Sequence, residues 1–271
     1  MTRGSAGLIR APHRSSIRWA LMAFACLGPA LSHAQAPVAA PAPSQSIPEM
    51  SYEKMAHLME MDDTQMTGML LLDQLEWRDT SPGATAAWEG EGWYGGDYDK
   101  LGVRTEGEEG DATEDARIEA FWDRIVTRWW SVQVGAREDV SGGPSRTWVG
   151  VGLEGLAPEW LHVEATLYAG ESGRTAARLW STYDVLITQR LILQPELEAN
   201  LYGKADPARH LGSGLSDLEA GLRLRYEFRR EIAPYVGVVW QRLCGDTADF
   251  ARTSAERTGG AEFTAGIRVW L

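Results

Sequence analysis

The sequence predicts an all-β fold, an antiparallel outer-membrane barrel of about 12 strands carrying a short, partly helical or disordered periplasmic N-terminal arm. Three observations carry that prediction. Stretch after stretch alternates aliphatic residues with charged or small polar ones. Twelve Trp and 29 Gly stand against five Phe. Beyond the amino terminus no apolar run is long enough for a membrane-spanning helix. Alternation marks extended chain, whose successive side chains point to opposite faces. Trp gathers where membrane meets water, and Gly where strands bend or turn.

Residues 1–36 read as a secretory signal. Arg3, Arg10, Arg14 and Arg18 precede the apolar "WALMAFACLGPAL", and "SHAQA" places small residues for cleavage after Ala34 or Ala36. A lipoprotein box at "AFAC", with Cys26 lipidated, is the rival reading. Without Cys26 the mature chain keeps one cysteine, Cys244, so an internal disulfide is excluded. Residues 37–69 form a Pro/Ala linker, "PVAAPAPSQSIP", followed by a Met-rich segment. The barrel is expected over residues 70–271.

Within it, "RWWSVQVGARED" sets Trp130, Val132, Val134 and Ala136 against Ser131, Gln133, Gly135 and Arg137. "WLHVEATLYAG" sets Leu161, Val163, Ala165 and Leu167 against His162, Glu164, Thr166 and Tyr168. "QRLILQPELEANLY" opposes Leu191, Leu193, Pro195, Leu197 and Ala199 to Gln194, Glu196, Glu198 and Asn200. "LSDLEAGLRLRYEF" and the closing "AEFTAGIRVWL" repeat the pattern. A water-soluble sandwich would bury the aliphatic rows, whereas a membrane barrel turns them to lipid and keeps a polar lumen. Link lengths decide between the two. "RREIA", "LITQR", "LAPE", "VTR" and "GGD" are tight, and they alternate with longer links such as "GDTADFARTSAERT", "KADPARHLGSG" and "GEEGDATE". That is the pattern of external loops and periplasmic turns, with both chain ends on the periplasmic side.

Six of the eight methionines fall between residues 49 and 69, in a segment otherwise acidic and poor in apolar residues to pack against. Met55 and Met59 are spaced i, i+4, as are His57 and Met61, so one helical face would bring thioethers and an imidazole to one ion. Soft thioether sulfur favours Cu(I), and imidazole also accepts Cu(II). The candidate metal ligands are therefore Met50, Met55, His57, Met59, Met61, Met66 and Met69. In the lumen, strand parity points His162, Glu164, Glu196, Glu198, Asp217 and Glu219 inward as weaker cation ligands. The same residues would equally serve a rigid salt-bridge lattice.

The net charge of −12 excludes nucleic acid as a partner and suits a cation. Enzymatic constellations are absent: there is no nucleophile elbow and no His-Glu-x-x-His pair, and His210 near Ser213 and Ser216 lacks an orienting carboxylate in sequence. Expected partners are copper ions, outer-membrane lipid and a periplasmic copper-handling protein.

"LLLDQLEWR", "GWYGGDYDKLGVRTEGE", "PSRTWVGVGLEGLAPEWLHVEATLY", "YDVLITQRLILQPELEANLYG" and "GSGLSDLEAGLRLRYEFRREIAPYVGVVW" resemble the copper resistance protein B family (CopB/PcoB). The resemblance covers Leu70 to Leu271. It implies an outer-membrane barrel of Gram-negative bacteria that binds or moves copper at the envelope; either the arm loads copper for export through the barrel, or copper is stored on the arm and the closed barrel is only an anchor. Two features depart from the family pattern. The Met/His region is shorter than the family's, and Leu271 stands where the family ends in Phe.

Overall fold

The computed structural model describes residues 51, 54–55, 65–79, 83–110, 114–141 and 143–271. The signal and linker, with Met50, His57, Met59 and Met61, lie outside the described residues. Thirteen strands follow in order: β1 Thr67–Asp79, β2 Ala84–Gly95, β3 Asp99–Gly110, β4 Glu114–Ile125, β5 Trp130–Ser141, β6 Arg146–Ala157, β7 Leu161–Gly170, β8 Arg174–Thr182, β9 Val185–Leu186, β10 Leu191–Tyr202, β11 Gly214–Tyr226, β12 Ile232–Leu243 and β13 Gly259–Trp270. One helix, α1 (Gly245–Thr253), lies between β12 and β13. Neighbours in sequence pair antiparallel, β10 pairs β11, and β13 returns to pair β1, so the sheet closes on itself.

The barrel has twelve staves, because β8 and β9 form one. Both pair with β10 in a single register, Glu196 opposite Thr182 and Leu193 opposite Val185. The gap between them faces Pro195, which accepts a hydrogen bond from the Tyr183 amide at 3.1 Å. Proline has no N–H to return, and the ladder lapses there.

The aliphatic rows face outward. Leu101, Val149, Leu167, Val236 and Phe263 are exposed, Phe263 by 72%, whereas Arg137, Arg223 and Glu76 are 2–3% exposed. This inverts a soluble core. Such a surface is stable only against hydrocarbon, and a closed ring of strands satisfies every backbone group that hydrocarbon cannot.

Glycines sit directly across from large inward rings: Gly102 opposite Phe121, Gly150 opposite Tyr168, Gly170 opposite Trp148 and Gly266 opposite Tyr235. A Cβ at Gly150 would stand 2.8 Å from the Tyr168 ring. The missing side chain is the seat of the ring, which explains much of the glycine content and stiffens the curved wall.

Link lengths differ less than the sequence suggests. The links 96–98, 126–129, 158–160 and 227–231 occupy one end, the turn end, where Thr67 lies opposite Gly95 and the Leu271 amide donates to the Leu70 carbonyl. At the other end, the loop end, only 203–213 and 244–258 are long. Residues 107–110 of "GEEGDATE" continue β3 instead of looping.

Those two long links fold together. Thr247 of α1 accepts a hydrogen bond from the Gly212 amide at 2.8 Å and lies 2.9 Å from the Ser216 hydroxyl. His210 stacks on Phe250, and Ser213 bonds Asp246, so His210, Ser213 and Ser216 are all engaged in holding the links. Leu211 packs against Trp148, Tyr168, Ala176 and Tyr202 on the inner wall. Asp206 receives Arg146 at 2.7 Å and lies 3.3 Å from Arg174, which latches the link to β6 and β8.

The hydrogen bond from Arg146 holds the Asp206 carboxyl below the usual carboxylate range. A lowered folded-state pKa means the latch contributes fully above the ordinary Asp range, near 4, and is lost as pH falls through the lowered value. Hydrogen exchange at residues 206–212 is therefore expected to accelerate below about pH 4, and Asp206→Asn to show the fast exchange already at neutral pH. Identical exchange in the variant would remove the latch.

Candidate functional site: the ionic bore

Strand parity turns charged side chains inward from most strands, among the rings and glycines, and the pairing register decides which of them meet. Near the turn end, a cavity of about 270 Å³ is lined by Glu91, Trp93, Lys100, Asp123, Glu154 and His162, among others. His162 Nε2 lies 2.9 Å from Glu154 Oε1. Gln133 donates to both Glu154 and Asp123, and Ser131 donates to Asp123 at 2.6 Å. Toward the loop end, a cavity of about 330 Å³ is lined by Glu89, Glu106, Glu108, Glu196, Glu198, Asp217 and Glu219, with Arg78, Arg117, Arg137 and Arg209 among them.

Between the two stands a row of ion pairs. Glu164 Oε1 accepts from Arg104 Nη1 at 2.8 Å and from Arg178 Nη1 at 3.3 Å. Arg104 continues to Glu91 at 3.0 Å, and Arg178 to Glu198 at 2.8 Å and Glu106 at 3.1 Å. A second lattice lies on β1, β11 and β12. Glu76, its side chain fully buried, accepts from Arg78 at 2.7 Å, from Arg223 at 3.0 Å and from the Tyr235 hydroxyl at 3.0 Å.

Asp73, Glu89 and Glu196 bring one carboxylate oxygen each to within 4.8 Å of one another. Asp73 owes its place to a bulge in β1. Leu72 pairs Gly90 and Gln74 pairs Glu89, so Asp73 is the extra residue. It and Gln74 thus both turn inward. Arg268 lies 2.7 Å from Asp73, and Arg223 and Gln74 bond Glu196. Glu89 has no hydrogen bond to the described residues. Three carboxylates so close repel one another, and a cation or proton between them relieves that repulsion.

The six expected lumen residues all face inward but do not converge. His162 lines the turn-end cavity, Glu164 the row between, and Glu196, Glu198, Asp217 and Glu219 the loop-end cavity. Each is also held in the lattice, Asp217 by Asn200 at 2.9 Å and Glu219 by Arg78 at 3.1 Å. Asp73, Glu76, Arg78, Glu89 and Glu91 also turn inward, beyond the six residues that strand parity names for the lumen. The alternation of "DQLEWR" and of "WEGEGW" carries the signal for four of them, and the bulge hides Asp73.

Of the methionines, Met55 and Met66 are exposed. Met69 lies inside β1, opposite Trp93, which lines the turn-end cavity.

The match to known proteins covers the same span as the barrel. The family model described as "Copper resistance protein B precursor (CopB)" matches residues 66–271. A Copper resistance protein B homolog of Pseudomonas syringae pv. tomato is 47% identical over 213 residues, 78% of this chain and 72% of the relative. The Escherichia coli protein named Copper resistance protein B is 43% identical over 210 residues, 77% of this chain and 71% of that relative. Among solved structures, the NanC porin aligns with a TM-score of 0.50 at 13% identity, over 74% of this chain and 98% of the porin, a likeness of fold alone. With an outward aliphatic wall, a closed ring of twelve staves and this span of identity, the chain is an outer-membrane β-barrel belonging to the copper resistance protein B family.

Proposed function

We propose that the protein binds copper through its Met/His arm on the periplasmic side and passes it outward through the bore. The observation that carries this reading is the lumen's excess of carboxylate over guanidinium, concentrated at Asp73, Glu89 and Glu196. Imidazole and carboxylate both accept Cu(II), so an ion released from the arm finds ligands along the bore, in contacts loose enough to release it. Met66 and Met69 support a continuous path. The Met66 sulfur would lie 3.7 Å from a Cβ at Gly96 in a turn, and Met69 is the ladder partner of Trp93 in the wall of the turn-end cavity.

The row of ion pairs across the middle supports a second reading, in which the barrel is an anchor and copper is sequestered on the arm.

The test is metal titration of the mature protein with Cu(I), Ag(I), Cu(II) and Zn(II), beside a variant combining Met55→Leu, His57→Ala, Met59→Leu and Met61→Leu. These substitutions leave β1, which starts at Thr67, intact. The variant is expected to lose about tenfold in Cu(I) and Ag(I) affinity and little in Zn(II), as the softness of sulfur requires. Unchanged Cu(I) binding would discard the arm. Copper flux from loaded liposomes separates passage from sequestration.

A further inference from the structure

The geometry points to Glu164 as the residue that decides which ions cross: with Arg104 and Arg178 it forms a gate closed to alkali and halide ions and opened only by a cation that bonds carboxylates strongly. This rests on the reading that copper passes through the bore.

The three side chains are 3–7% exposed and line neither cavity, and they link the wall of one, through Glu91, to the wall of the other, through Glu106 and Glu198. One oxygen, Glu164 Oε1, holds both guanidinium groups, at 2.8 Å and 3.3 Å. Two like charges are thus drawn to one point by a single acceptor, with Thr166, at 3.4 Å, its only other donor among the described residues. Each arginine has a second anchor facing away from the centre. Arg104 is held by Glu91 toward the turn end, and Arg178 by Glu198 and Glu106 toward the loop end.

The gate follows from that arrangement. If Glu164 lets go, mutual repulsion and the outer carboxylates draw the arginines apart, one to each side, and a gap opens between the cavities. A hydrated potassium ion gains too little from a carboxylate to displace two charge-assisted hydrogen bonds, and chloride would have to take up the guanidinium groups against the surrounding carboxylates. A transition-metal cation bonds the same oxygen far more strongly, most of all Cu(II), and replaces the positive charge it displaces. The ion itself is the key.

Conductance of the intact mature barrel in planar bilayers, in potassium chloride without copper, tests this. Wild type is expected to be nearly silent. Glu164→Gln removes the charge that holds the arginines together, and conductance is expected to rise about tenfold with cation preference retained. Glu164→Asp keeps the charge but draws the oxygen back, and is expected to fall between the two. Glu138→Gln, on the outer wall beside Thr147, is the control and should match wild type. Heat-modifiable gel mobility shows that each variant is folded.

A wild-type barrel that conducts potassium chloride like a general porin would overturn the proposal, and so would folded Glu164→Gln or Glu164→Asp barrels as silent as wild type. Because these measurements contain no copper, a failed gate leaves the arm titration standing. A failed titration in turn leaves the conductance result intact.

Discussion

Glu76→Ala is expected to destabilise the barrel by about 3–5 kcal/mol, the cost of breaking a buried ionic cluster by removing one partner. Glu76 is the acceptor for Arg78, Arg223 and Tyr235 at once, and its side chain has no exposed surface. Deleting it leaves two guanidinium groups and a phenol without their shared acceptor, in a wall too tightly packed for water to reach all of them. Arg223 would retain Glu196 and Gln74, at 3.1 Å and 2.8 Å, so Glu76 should matter more than any one of its donors. Urea unfolding in detergent, followed by tryptophan fluorescence and by heat-modifiable mobility, measures the loss. A shift under about 1 kcal/mol, the value of an exposed pair, would mean that the cluster is solvated and contributes little.

Gly102→Val is expected to cost about 2–3 kcal/mol by overpacking. An added Cβ would fall on the ring of Phe121, which lies directly across the ladder and is 6% exposed. The ring cannot retreat freely. The Arg104 guanidinium lies 5.1 Å from its centroid, and a Cβ at Gly135 would stand 2.9 Å from the Phe121 Cβ, so the base of the side chain is closely seated as well. Removing the ring should relieve the strain, so Gly102→Val with Phe121→Ala is expected to be more stable than the sum of the single changes predicts. Additive losses in the same urea assay would show that the glycine does not seat the ring.

Much of this fold was legible because a membrane barrel states its two faces at every second residue. Thr264, 4% exposed, and Phe263, 72% exposed, are adjacent in the last strand, and parity alone separates them. What parity could not supply is anything that breaks it. The bulge that turns Asp73 inward shows only when β1 is laid against a neighbouring strand. Pro195 kept its place among the aliphatic row, while its missing N–H interrupted the neighbouring stave.

The site was legible as a set of inward charges but not as pairs. Arg104 and Glu164 are 60 positions apart, and Gln74 and Glu196 are 122 apart. Such meetings depend on curvature and register across the bore, which a linear pattern does not carry. The same holds for Asp206 and Arg146, also 60 apart. Link length was a weaker guide than alternation, because strands that continue past the membrane absorb residues that read as loop.

The seam between β1 and β13 has a consequence for how the molecule is made. The Leu70 amide donates to the Leu271 carbonyl at 3.0 Å, and the Leu70 carbonyl accepts the return bond from the Leu271 amide at 2.8 Å. The first stave synthesised therefore cannot be hydrogen-bonded along that edge until the last one arrives. A partly assembled intermediate carries two raw edges that hydrocarbon will not tolerate. Insertion thus has no stable halfway state, and a chain stalled short of its final stave needs another protein's strand at the gap to remain in the bilayer.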